Sequence, residues 1–207
     1  MASPKRLALY GGSFNPPCLH HRQIVLELLL RFDQVIVVPC GASRDKDSLK
    51  TATNKNRKDM LLLHFGDLTG VVIDMHDLDT DEFTPTWKLD ERYRKLYPEM
   101  EIWHVVGGDL VACGNAGQSE IQLAWEKGEE LWLTLKFFII IRPGITLLPE
   151  DLPSFSEVIE IENLVGSSTL VRTLIADGKE VRPLLNPEVY EYILINGLYR
   201  KKEDEGC

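Results

Sequence analysis

The chain has 207 residues, 44% hydrophobic and 27% charged, a composition that excludes disorder over most of its length and suffices for one ample core. Thirty-two Asp and Glu against 23 Lys and Arg leave a formal charge of -9, which excludes broad phosphate neutralisation of a nucleic acid but not a local basic pocket for a small phosphorylated ligand. The longest apolar runs, such as 28–30 and 137–141, fall far short of the roughly 20 residues of a membrane span, no signal-peptide-like stretch follows Met1, and Cys18, Cys40, Cys113 and Cys207 are spaced for neither a zinc site nor a disulfide framework. These features predict a single-domain, cytoplasmic protein with no membrane and no nucleic-acid partner.

In chain order, residues 7–10 (LALY) predict a buried strand that stops at Gly11-Gly12. Residues 20–32 carry Ile24, Leu28 and Phe32 at helical spacing. Residues 34–39 (QVIVVP) are nearly continuous in β-branched side chains, as strands covered on both faces are. A polar loop over 41–54 leads to a helix at 56–65. A third strand is expected at 71–75, a helix at 86–97, and a fourth strand at 102–106 that closes on Gly107-Gly108-Asp109. One helix is expected over 120–135, a fifth strand over 137–141 before Arg142-Pro143-Gly144, and a sixth over 158–161. Helices at 168–176 and 187–196 follow, and the tail 201–207 is expected to be mobile. Strands alternating with helices predict an α/β fold with a doubly wound, mostly parallel sheet. Ligands of such sheets bind outside the carboxyl ends of the strands, which singles out the loops 11–21, 39–55, 107–117 and 163–172.

Two of these loops carry phosphate chemistry. In the first, Gly11 and Gly12 let a ligand approach the backbone, Phe14, Pro16 and Pro17 stiffen the turn, and His20 and His21 fall in the first turn of the next helix. A helix start offers free N–H groups and a positive dipole end. In the second, Gly166-Ser167-Ser168-Thr169 opens an apolar-periodic helix with Arg172 one turn in, so N–H groups, hydroxyls and a guanidinium can converge on an anion. Taken singly, the same residues suit a Gly-Pro turn with two surface histidines and an ordinary helix cap.

Together, in this order and about 150 residues apart, GSFNPPCLHH (12–21) and GSSTLVR (166–172) resemble the two signatures of the nucleotidylyltransferase superfamily. Within it the chain is most similar to the nicotinate/nicotinamide mononucleotide adenylyltransferases, through Val106-Gly107-Gly108-Asp109, Thr84-Pro85-Thr86-Trp87, Trp125 to Leu131 with Ile141-Arg142-Pro143-Gly144, and the ending Leu185-Asn186-Pro187…Tyr192-Ile193…Gly197-Leu198-Tyr199. The resemblance implies a Rossmann-like nucleotidylyltransferase fold and transfer of AMP from ATP to a pyridine mononucleotide, with direct in-line attack and no covalent enzyme intermediate.

It further implies His21 and Arg172 as the catalytic pair. ATP would be held by Gly12, Ser13, Phe14, Cys18, His21, Lys46, Gly107, Asp109, Ser168, Thr169 and Arg172. The mononucleotide would meet Ser13, Phe14, Thr86, Trp87 and Trp125, the last as the favoured stacking platform. Mg2+ would ride on the ATP phosphates, with no metal site of the protein's own. A homo-oligomer and the choice of nicotinate or nicotinamide stay open. Core packing accounts equally for Trp87, a helix cap for Asp109 and solvation for Lys46. The chain departs from the pattern at Cys18, where His or Thr is usual, at His20, where a small residue is usual, and mildly at Gly108 and at Val165-Gly166. The departures leave a nucleotide-binding protein with weakened catalysis as one alternative; a phosphopantetheine-type acceptor is another, against which the Gly107–Asp109, Arg142-Pro143-Gly144 and C-terminal matches and the chain length speak.

Overall fold

The computed structural model describes residues 4–41 and 52–200; Lys46 and the tail 201–207 lie outside them. Six strands, β1 (Lys5–Gly12), β2 (Gln34–Pro39), β3 (Val71–Ile73), β4 (Met100–Gly107), β5 (Phe137–Ile141) and β6 (Ser156–Glu160), form one sheet in the order β3-β2-β1-β4-β5-β6. Every pairing is parallel, so the sheet is wholly parallel rather than mostly so. The order reverses between β1 and β4, and the crevice above that switch is where such sheets take ligands.

The unbroken apolar runs follow from cover on both faces. Ala8 and Tyr10 of β1 pack with Ile24, Val25 and Leu28 of α1 (Leu19–Leu29) and with Leu61 and Phe65 of α2 (Asn54–Phe65). Leu7 and Leu9 point the other way, into a cluster with Tyr93 of α4 (Thr86–Leu96). A third cluster sets Phe137 and Ile139 of β5 under Ile121, Leu131 and Trp132. A fourth joins α2 to α7 (Ser168–Ala176) and α8 (Pro187–Ile195) through Met60, Val171, Val189 and Ile193, with Cys18 buried among them. The chain's last helices are thereby packed over the first motif.

The expected helix over 120–135 is two helices, α5 (Glu120–Ala124) and α6 (Gly128–Thr134). Trp125 turns extended (φ -82°, ψ 141°) and Lys127 takes φ +60°. Gly128 lies so close to α5 that a Cβ would stand 2.0 Å from the Ile121 carbonyl oxygen. Amphipathic periodicity continues through the break, which is why the sequence reads as one helix. Gly128→Ala is therefore expected to lower stability by about 1–3 kcal/mol through overpacking, measurable by chemical denaturation; an unchanged midpoint would show that the corner yields freely. The residues before α5 close a short 3-10 turn, Gly114–Ala116, and a reciprocal cap in which Ser119 and Gln122 serve each other's backbone N–H. The third strand ends at Ile73, two residues early, and a short helix, α3 (His76–Thr80), follows it.

Candidate active site

The first motif leaves β1 through a loop whose backbone carbonyls are held by side chains of α2 and α7. Phe14 adopts φ +43° and its ring is buried, edge-on to Tyr10 at 5.4 Å, His21 at 5.0 Å and Phe65 at 6.0 Å. A Cβ on Gly12 would stand 3.1 Å from that ring, so glycine lets the loop fold down on Phe14. The ring is core, and a ligand at this position would meet backbone only. The Asn15-Pro16 peptide is cis.

Cys18 precedes α1, and its backbone N–H donates to His21 Nδ1 at 2.9 Å. That bond fixes Nδ1 as an acceptor and puts the proton of a neutral ring on Nε2. Neutrality follows from burial, which holds the His21 pKa well below the ordinary imidazole value, aided by His20, His64 and Arg142. His20 is also buried and is held down to about 4 by burial and by Arg142. The Cys18 thiol donates to the Pro16 carbonyl at 3.3 Å, and burial pushes it up to about 12, so it is a neutral thiol at physiological pH.

The second motif comes to the same place. Ser167, not Ser168, caps α7, accepting the Leu170 N–H at 3.1 Å. Gly166 takes φ +101° just before it, a conformation that favours glycine and accounts for its presence before the serines. Ser168 is free to reach across, and its Oγ donates to the Pro16 carbonyl at 2.9 Å. Arg172 donates through Nη1 to the Asn15 carbonyl at 2.7 Å and through Nη2 to Thr169 Oγ1 at 3.1 Å. Residues 152 to 157 positions apart are thus hydrogen-bonded into one unit.

At the end of β4, the Asp109 carboxylate folds back over Gly107, where a Cβ would stand 2.3 Å from Oδ1. Thr86 and Trp87 open α4, and the loop ahead of them is tied by Thr84, whose N–H and hydroxyl donate to Asp77 at 2.8 and 2.6 Å. Trp87 donates through Nε1 to Glu126 Oε2 at 2.7 Å, and Lys127 Nζ lies 3.9 Å from its ring centre. Trp125 stands at the α5–α6 corner, and both tryptophans pack half-buried on the cluster that includes Val106.

Three residues of this assembly have no role in the sequence reading, although Asn15 and Arg142 stand inside stretches that it singles out. Arg57 of α2 is buried, with Nε and Nη2 donating to the Ser13 carbonyl at 3.0 and 2.6 Å and Nη2 to the Cys40 carbonyl at 2.5 Å. Asn15 Oδ1 accepts the Tyr199 hydroxyl at 2.6 Å and the Ala52 N–H at 3.3 Å. Arg142 stands near enough to depress both histidines; its place in an Arg-Pro-Gly run was the available signal. Arg57 braces the loop from beneath, while Arg142 and Arg172 set positive charge beside the two neutral imidazoles.

A cytidylyltransferase-like family model matches residues 9–174, a span that contains both motifs. A protein of Kineococcus radiotolerans named a probable nicotinate-nucleotide adenylyltransferase is 30% identical over 93% of this chain and 90% of its own length. One of the same name from Saccharopolyspora erythraea is 29% identical over 99% and 94%. Among solved structures, a Plasmodium falciparum nicotinic acid mononucleotide adenylyltransferase complexed with NaAD superposes with a TM-score of 0.77 at 25% identity, covering 94% of this chain and 97% of that one. With six parallel strands, two motifs joined at the switch point and full-length similarity, the chain belongs to the cytidylyltransferase-like family and, within it, to the nicotinate-nucleotide adenylyltransferases.

Proposed function

We propose that the protein transfers AMP from ATP to a pyridine mononucleotide, releasing pyrophosphate. A phosphate oxygen of the mononucleotide forms the new bond to the α-phosphorus as the bond to the leaving pyrophosphate breaks in line. The attacking phosphate is already anionic near neutral pH, so no general base is required, and the rate comes from positioning and from meeting charge on the phosphates. The observation that carries this reading is the direct hydrogen bonding of Ser168 and Arg172 to the first motif, which gives one phosphate site contributions from both ends of the chain.

In this reading the His21 Nε2–H meets the α-phosphate, while Ser168, Thr169 and Arg172 hold the β- and γ-phosphates with Lys46. Gly12 and Ser13 offer backbone, and Gly107 and Asp109 meet the ribose. Thr86, Trp87 and Trp125 surround the pyridine ring, with Trp125 stacking, since Lys127 already covers one face of Trp87. Mg2+ enters as part of the substrate, MgATP. The donors gathered at the α1 start are imidazoles and a thiol, which suit that hard ion poorly.

The test is pyrophosphate release from MgATP with nicotinate mononucleotide, nicotinamide mononucleotide and phosphopantetheine in parallel. Release with a pyridine mononucleotide is expected. Release with phosphopantetheine alone, or with none by a folded protein that still binds ATP, overturns the proposal. In the same assay Trp125→Ala is expected to raise KM for the mononucleotide about tenfold or more, as loss of one stacking partner does, with KM for ATP little changed. A defect in stability alone would make Trp125 a core residue.

A further inference from the structure

We propose that Cys18, His20 and His21 form a binding site for a soft divalent cation of the zinc class. One ligand atom from each lies within 4.8 Å of the other two, and the two imidazole centres are 3.8 Å apart. Cys18 is 1% exposed and His20 4%, while His21 is half-buried, so two of the three donors are shut off from solvent and the third opens the way in. His20 Nδ1 is buried with no hydrogen-bond partner among the described residues, an unused polar atom of the kind that calls for an explanation. Cys18 and His20 are also the two places where the first motif departs most from the pattern it resembles. The cysteine spacing pointed away from zinc because two of the three donors are histidines.

One thiolate and two imidazoles are soft-to-borderline donors that select zinc-class ions over Mg2+. Three protein ligands leave a fourth position open. Binding displaces the thiol proton to solvent and changes no oxidation state. Burial already keeps both imidazoles neutral, as ligation requires. His21 gives up something at either nitrogen. Ligation at Nε2 moves the ring proton to Nδ1 at the expense of the Cys18 N–H bond, and ligation at Nδ1 displaces that N–H directly. A bound cation and ATP would therefore compete for His21, a consequence that rests on the function proposed above.

The test is titration of the metal-stripped full chain with Co2+, without nucleotide, following thiolate-to-cobalt charge-transfer absorption. A band saturating at one equivalent and bleached by Zn2+ is expected. Cys18→Ser, which retains the other cysteines, should abolish it, and His20→Ala should weaken Co2+ binding about tenfold or more, with folding checked by circular dichroism. No band in the wild type, or a band surviving in Cys18→Ser, overturns the site. Should Cys18→Ser fail to fold, an unchanged affinity in His20→Ala would do so. MgATP is expected to suppress the wild-type band. A band formed as expected but indifferent to MgATP overturns the competition and leaves the metal site standing.

Discussion

Replacing His21 by alanine is expected to lower kcat about 10²–10³-fold, the usual cost of removing one preorganised donor to a transition-state oxygen. KM for ATP should move much less, because the charge on the α-phosphate grows only during transfer. The same residue also accepts the Cys18 N–H at the start of α1, so the alanine variant should lose about 1 kcal/mol of stability as well. His21→Gln separates the two roles. Glutamine at the third position of a helix can accept that N–H through its amide oxygen, so stability should return while kcat stays low. Steady-state kinetics and thermal unfolding of both variants decide the matter. Full turnover in His21→Gln would make His21 a cap with no part in the chemistry.

The strands at 34–39 and 137–141 were legible to the residue, because burial on both faces writes an uninterrupted apolar run into the sequence. The α7 boundaries were equally plain, with hydroxyls before an apolar stripe. The break at Trp125–Gly128 was not, since it depends on a contact between Gly128 and the Ile121 carbonyl that periodicity does not record. At the site, the meeting of the two motifs was legible because each is a run of neighbouring residues in the chain, and the structure bonds Ser168 and Arg172 to the first of them. Arg57 acts through carbonyl oxygens of distant segments, and nothing in its own surroundings in the sequence marks that use; Asn15 and Tyr199 stand inside stretches that resemble the family, but the bond between them joins positions 184 apart and no local pattern records it. Arg57 in particular sits in a polar run, NKNRKD (54–59), that reads as a solvated helix face. Phe14 shows the reverse case, in which a signature residue is kept for the core.

Arg57→Met should be among the most damaging changes in the chain although the residue touches no substrate in the function proposed. The guanidinium is 3% exposed, burial lowers its pKa, yet an arginine remains charged in a protein. Its charge is met by the Ser13 and Cys40 carbonyls and, at 3.4 Å, by Asn54 Oδ1. Methionine keeps much of the length but leaves two carbonyls without their charged donor, which should cost about 3 kcal/mol. For a chain of this size that is roughly 10 °C in Tm. Since the Ser13 carbonyl belongs to the loop that carries Asn15 and leads to His21, kcat/KM should fall in the portion that remains folded. Asn54→Ala, which loses the long contact and an exposed bond from Asn54 Nδ2 to Asp81 at 2.8 Å, should change both quantities little. Calorimetry and kinetics on the two variants make the distinction. Loss of ATP binding with Tm intact would turn Arg57 from a brace of the loop into a direct phosphate ligand.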